Sequence, residues 1–428
     1  MLSKIIGILF FLFFSIIVEV HAQHDLSVFA SYTTSVNRSK LYSKLVTSIH
    51  KNLSLPLNAQ TESKWEDVFW AMELINYKNL WTKTRIQSAF DSLTDRSTDF
   101  QRSLLELIYT NYPKVFGREL NAFILKTSHP KVFAMAAEYL LQNNNDDTVR
   151  IFLKNLIQEK FSNITDDAIL TSLSIRLQQK NNVTAYKILP DILSRDFLAG
   201  NTIMYSFQRK NRDNPGIVIV RSKEGKFIRE ANGKIFNVPQ LARSISNLPG
   251  YLTNGNTPQG IFRMYGFDVS RSSFIGPTTN IQLTMPGEAT LQHFLKDSSI
   301  TDSTWTIDWY KNLLPRKLKN YAQLYESFYA GKAGRTEIIA HGTAIDPEYY
   351  KSKPYYPYTP SLGCLCTREI WSTTTGKRLQ SDQQKLSEAI NLAGGADGYT
   401  IVIELDNKNL PININELLPF ILKAESLK

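Results

Sequence analysis

Apolar side chains recur at helical spacing through the first half of the chain. The run Trp65-Glu66-Asp67-Val68-Phe69-Trp70-Ala71-Met72-Glu73-Leu74 sets apolar residues three and four apart, with acidic residues early, as an amphipathic helix requires. The same spacing predicts helices over 100–109, 131–142, 147–160 and 166–179, separated by turns rich in Asn, Asp, Ser or Pro. From 62 to 194 the expectation is an array of short helix pairs with no fixed repeat length. Such an array serves as a scaffold or binds a protein partner; its residues form no reactive grouping.

The pattern changes near 196–201. Ile217-Val218-Ile219-Val220 is a β-branched run, a turn at Glu224-Gly225 leads into Lys226-Phe227-Ile228, and Gly233 and Asn254-Gly255 mark further turns. Segments 336–340 and 399–405 also predict strands, and helical spacing returns over 309–329 and 382–393. The expected fold class is α+β and multidomain: an α-helical domain over 23–198, then a mostly-β domain over 199–428.

The first residues fall outside that scheme. Lys4 precedes the apolar run from Ile5 to Val18, and Val20-His21-Ala22 offers small residues where a signal peptidase reads them. Residues 1–22 are therefore expected to be a signal peptide, with cleavage before Gln23. The apolar run of 14 residues is shorter than the roughly 20 a spanning helix needs, so membrane attachment would come only from an uncleaved signal. The expected location is periplasmic or secreted.

Composition narrows the partners. A net charge of +10 draws an exported protein towards anionic polymers. Nucleic acid is not expected, because the Lys and Arg residues are scattered rather than clustered with stacking aromatics. The chain has only two cysteines, Cys364 and Cys366, whereas a disulfide-stapled fold shows several, widely spaced. Cysteine here is local chemistry.

Two segments carry that chemistry. Ile338-Ile339-Ala340-His341-Gly342-Thr343 delivers a histidine into a glycine turn. After a loop rich in Tyr and Pro comes Ser361-Leu362-Gly363-Cys364-Leu365-Cys366. A thiol attacks as thiolate, and a neighbouring imidazole takes its proton. A glycine beside the nucleophile permits a tight turn whose amides face an oxyanion. Cys366 has three readings: a core cysteine, a redox partner of Cys364, or a metal ligand with His341 and Cys364. No cofactor and no metal are expected. His50, His129 and His293 adjoin neither a glycine turn nor a nucleophile.

His341-Gly342-Thr343, followed 23 residues after the histidine by Cys364 in a Ser-x-Gly-Cys context, resembles the L,D-transpeptidase family with its YkuD-type catalytic domain. Upstream, Asn256-Thr257-Pro258-Gln259-Gly260-Ile261-Phe262 is similar to that domain's Thr-Pro-x-Gly strand entry. The resemblance covers about residues 200–406. It implies that Cys364 accepts the acyl group of a peptidoglycan tetrapeptide stem, that His341 is the general base, and that Gly363 and Cys364 supply oxyanion amides. Gly342 or Thr343 would orient His341 through a main-chain carbonyl, while Ser361, Thr343, Tyr358 and Arg368 would contact substrate.

The chain departs from the family pattern in three places. Leu362 stands where the family has a second histidine, Cys366 where it often has Arg or Asn, and the His341–Cys364 loop is slightly long. Arg368 and Arg378 are candidates for the cation that a stem carboxylate needs. The resemblance leaves three alternatives open: an L,D-carboxypeptidase with water as acceptor, a non-catalytic peptidoglycan-binding protein, and a thiol-redox protein using both cysteines.

Overall fold

The computed structural model describes residues 28–178 and 184–426; the expected signal peptide over 1–22 lies outside them. The described chain is a mixed α+β structure with fourteen α-helices and one large, nearly closed sheet. Eight helices come first: α1 Ser35–Leu53, α2 Glu62–Leu74, α3 Leu80–Ala89, α4 Thr98–Asn111, α5 Gly117–Ile124, α6 Pro130–Asn143, α7 Asp147–Lys160 and α8 Ala168–Gln178. Several start on the capping chemistry that their sequences offer. Asn79 and Thr82 form a capping box at α3, Ser97 caps α4, and Asp146 caps α7. Their inward stripes bury Trp65, Phe69, Phe100, Leu104 and Phe133 in one core.

After a short helix, α9 (Leu189–Ile192), the strands begin: β1 Thr202–Gln208, β2 Gly216–Arg221, β3 Val238–Gln240, β4 Gly260–Val269, β5 Thr279–Thr284, β6 Ile339–His341, β7 Leu365–Cys366 and β10 Asp397–Glu404. Their order is β3-β2-β1-β10-β4-β5-β6-β7. The two edges meet just past β3: Leu241 and Cys366 exchange N–H···O bonds of 2.8 Å each, which brings the sheet close to a barrel. A separate hairpin, β8 (Glu369–Trp371) with β9 (Arg378–Ser381), follows β7. Chain entering from the N-terminal end lies against it, with Arg378 N–H donating to Val28 O and Ala30 N–H to Gly376 O.

Both faces of the central strands are buried, so these strands are apolar runs rather than alternating ones. Ile203, Tyr205, Phe207, Ile401 and Ile403 face a core shared with α9 and α14 (Leu418–Ser426). Met204, Val218, Val402, Phe262 and Leu365 face the other side, where Leu386 and Ile390 of α13 (Asp382–Leu392) fill the concave face.

The expected helices over 100–109, 131–142, 147–160 and 166–179 fall on α4, α6, α7 and α8, and 382–393 falls on α13. The single helix expected over 309–329 is instead α11 (Ile307–Lys311), two 3-10 turns and α12 (Glu326–Lys332). Pro315 lies within that stretch, and a proline cannot continue a helix from the preceding turn. Residues 226–228 form an isolated bridge, Arg221 with Phe227, rather than a strand. The strand expected over 336–340 begins only at Ile339, after Glu337 with φ +61°. The remaining helix, α10 (Leu291–Leu295), follows β5.

Candidate functional site

His341 closes β6 and Cys364 immediately precedes β7. The two strands are parallel neighbours, with Ala340 opposite Leu365 and His341 opposite Cys366. Cys364 is thus two residues before the register partner of His341. On its other side, 241–245 runs along the cysteine segment: Ile245 N–H donates to Ser361 O at 2.7 Å and Ser361 N–H to Arg243 O at 3.3 Å.

The histidine's tautomer follows from its one hydrogen bond. Nδ1 of His341 is bound to Gly342 O, and a carbonyl only accepts, so Nδ1 carries the proton. Burial pushes the imidazole down to about 4, which keeps it neutral at physiological pH. Nε2 is then the nitrogen with the lone pair, the state a general base requires.

The thiol of Cys364 is half-buried and donates weakly to Glu337 O at 3.6 Å. Burial raises its pKa, opposed by a backbone hydrogen bond from Ile339 and by the charge of Arg335. Arg335 is a residue that reading the sequence did not single out. It is buried, and its guanidinium donates to the carbonyl oxygens of Gly250, Gly255 and Asn256. Burial pulls it down to about 10, while Cys364 works the other way. Nothing in its local sequence marks it, because its partners are backbone atoms about 80 residues upstream.

Gly363 sits at φ +115°, a region that favours glycine. A Cβ there would lie 1.9 Å from Arg335 Nη2 and 2.4 Å from Gly255 O. Ser361 Oγ accepts from Gly363 N–H at 3.1 Å and donates to Cys364 O at 3.0 Å. Ser361, expected to contact substrate, thus ties the turn together, and the Gly363 amide, expected to serve an oxyanion, is engaged by the Ser361 hydroxyl. Thr257 Oγ1 donates to Gly363 O at 2.8 Å, so the Thr-Pro-x-Gly segment and the cysteine turn meet directly.

Thr343, expected to contact substrate, is likewise engaged within the fold. It is buried, with its hydroxyl 2.6 Å from that of Thr359 and its carbonyl accepting from Trp371 Nε1 at 2.9 Å. Gly342 lies over a buried carboxyl, since a Cβ there would come within 2.3 Å of Glu369 Oε2. Glu369 accepts from Thr278 and Ser381 through Oε1, and burial pushes the carboxyl up to about 7 against those bonds, the charge of Arg378 and the Thr343 amide. Sequence reading missed Glu369; its role depends on which strand folds beneath the His-Gly turn.

Tyr358 and Arg368 lie close enough to influence each other, and Asp382 is their acidic neighbour. Both are partly exposed. Arg378 is neither a surface residue nor open to a ligand: it is buried and donates to Thr278 Oγ1 at 2.8 Å. Cys366 is buried and its thiol is pushed up to about 12 by that burial. Both thiols are free. Among the described residues no group of three or more His, Cys, Asp and Glu side chains is placed to hold a metal. Leu362, two residues before Cys364, is exposed. His50 stacks on Trp81 and bonds to Tyr77 in the helical layer, and His293 belongs to α10.

The loop between His341 and Cys364 is held by the helices, with Tyr350 donating to Leu74 O at 2.7 Å and Asp346 pairing with Arg38 at 3.3 Å, and by the 241–245 segment, where the Arg243 guanidinium lies over Tyr355 at 4.6 Å. Comparison of the chain with family models, with curated proteins and with solved structures returns no match.

Proposed function

We propose that this protein is an exported, peptidoglycan-modifying cysteine acyltransferase of L,D-transpeptidase type, with Cys364 as nucleophile and His341 as general base. The observation that carries this reading is the state of His341: neutral, protonated at Nδ1 by its bond to Gly342 O, with Nε2 bare, on the strand beside Cys364. In the proposed two-domain division, residues 23–198 are the helical support and 199–428 the catalytic part, with residues 1–22 as the export signal.

In the reaction, the Cys364 proton passes to His341 Nε2 as the sulfur attacks the carbonyl carbon of the stem's L-D amide. The C–N bond breaks, and the terminal D-amino acid leaves with the proton from the imidazolium. The resulting thioester is attacked by an amine of a neighbouring stem, which forms the new amide and returns the proton to the thiol; water as acceptor gives the carboxypeptidase. The thiol must first turn from Glu337 O. Tyr358 and Arg368, both partly exposed, form the pair offered to the stem, with Arg368 as the cation for its carboxylate.

One observation favours a second reading. The Cys364 thiol is raised by burial and bonded to a carbonyl rather than to the imidazole, which suits a non-catalytic stem-binding protein. Intact-mass spectrometry separates the two. Incubation with tetrapeptide muropeptides, or with a carbapenem as an acylating mimic, is expected to add one covalent mass to wild type and none to Cys364→Ala. Absence of an adduct on folded protein with a free thiol would leave the binding protein as the better reading.

A further inference from the structure

A cavity of about 200 Å³ lies behind the cysteine turn, where α8, the β1–β2 connection, the 247–257 loop and the end of β10 converge; Cys364 is not among its lining residues, although Thr257, which is, donates to Gly363 O. It is smaller than the ~300–1,000 Å³ of sites for drug-sized ligands, so its occupant is a small molecule. Six charged residues line it: Arg176, Lys210, Arg212, Glu326, Glu404 and Asp406.

Four of these are already matched. Arg176 forks onto Glu138 at 2.6 and 3.1 Å, Arg212 holds Glu404 at 2.9 and 3.1 Å, and Asp406 takes Arg209 at 2.8 Å. Glu326 and Lys210 remain. The carboxyl of Glu326 accepts only from the amides of Gln259, at 3.0 and 3.1 Å. Among the described residues no cation lies within ion-pair distance of it, and no carboxylate within ion-pair distance of Lys210. An unmatched carboxylate in a partly desolvated cavity is costly; Lys210, exposed at the rim, feels Glu326 and Glu404 without pairing with either.

We infer that this cavity binds a free α-amino acid, whose ammonium is received by Glu326 beside Glu404 and whose carboxylate is received by Lys210 at the rim. The Gln259 side chain, donating to Glu326 and to Glu404 at 3.1 Å each, fixes the two carboxyls as a preformed ammonium cradle. The inference is independent of acyl transfer at Cys364. Its proton linkage is specific. Burial and the neighbouring Glu404 push Glu326 up to about 7, with Arg176 and Arg212 opposing. An arriving ammonium holds Glu326 ionised, so binding near neutral pH expels protons.

Isothermal titration of the full protein at pH 6.5 with L-alanine, D-alanine, alaninamide and propionate tests this. At least one alanine enantiomer is expected to bind in the millimolar range or tighter, with alaninamide and propionate at least about tenfold weaker. Repeating the titration in buffers of different ionisation enthalpy is expected to show proton release that Glu326→Gln abolishes. Lys210→Met, at the exposed rim, is expected to weaken alanine about tenfold while leaving the proton release in place. Cys364→Ala is expected to bind as wild type does. No heat with either enantiomer up to about 10 mM, equal binding of the singly charged analogues, or affinity unchanged in both Glu326→Gln and Lys210→Met would overturn the inference. Should Glu326→Gln fail to fold, the Lys210→Met titration and the wild-type analogue series still decide it.

Discussion

Glu369 and His341 lie back to back across Gly342, and burial moves each towards its neutral form. For Glu369 the folded value, about 7, is above the ordinary 4.5. The native state therefore binds the proton more tightly than the unfolded chain. The associated stability is full below about 4.5 and is lost as pH rises through about 7. His341, lowered from 6.5 to about 4, acts with the opposite sign: its contribution is full above 6.5 and is lost as pH falls through about 4. Glu369→Gln removes only the first effect. Urea unfolding at pH 5 and at pH 8 is therefore expected to show the variant gaining on wild type by about 3 kcal/mol between the two. Glu326 titrates with the same sign as Glu369 but is present in both proteins, so it cancels. An unchanged difference between the two pH values would mean that the carboxyl is not held neutral in the folded protein.

Local chemistry made the helices legible, because capping residues and apolar stripes act within one or two turns. Asp147–Lys160 begins at its own Asp146 cap, and α6 starts on Pro130 at its first position. The periodicity failed elsewhere: the long α1 and the shorter α3 and α5 went unassigned, and 309–329 broke into turns around Pro315. At the site, His341 and the Gly363-Cys364 turn were visible as a motif. Arg335 and Glu369 were not, since a buried guanidinium under a turn and a buried carboxyl under a histidine are products of tertiary contact. The turn itself makes the clearest demand. Gly363→Ala must place a methyl against Arg335 Nη2 and Gly255 O at a φ of +115°. Backbone strain of this kind costs ~1–3 kcal/mol, and the displaced guanidinium adds its own loss. Chemical denaturation is expected to show at least about 3 kcal/mol of destabilisation. Thr257→Val, which loses only the hydrogen bond to Gly363 O, is expected to cost about 1 kcal/mol. Equal effects from the two would show that the turn can relax away from Arg335.

At the scale of the molecule, the change from helix to strand near residue 200 is not where the packing divides. Leu241, Ile245, Leu248, Tyr251, Leu252, Tyr350 and Tyr355 belong to the same buried cluster as Trp65, Phe69 and Phe100. Polar contacts follow the same path: Tyr251 donates to Glu138 at 2.8 Å, Asn254 to Glu106 at 3.0 Å, and Lys131 to Thr253 at 3.0 Å. These contacts fall on 241–257 and 345–355, the two loops that flank the Cys364 turn. Helices that carry no reactive group thus set the shape of the site, and separating them from the sheet would expose that apolar cluster to water. Differential scanning calorimetry of the full chain is expected to give one transition, with calorimetric and van't Hoff enthalpies in agreement. Tyr350→Phe removes a buried hydrogen bond to Leu74 O, a loss of about 1 kcal/mol or more because the carbonyl is left unmatched. That change is expected to lower the single midpoint as a whole. If instead far-ultraviolet helix signal melts first and near-ultraviolet signal later, the helical layer is an independent domain, and the His341–Cys364 loop keeps its shape without it.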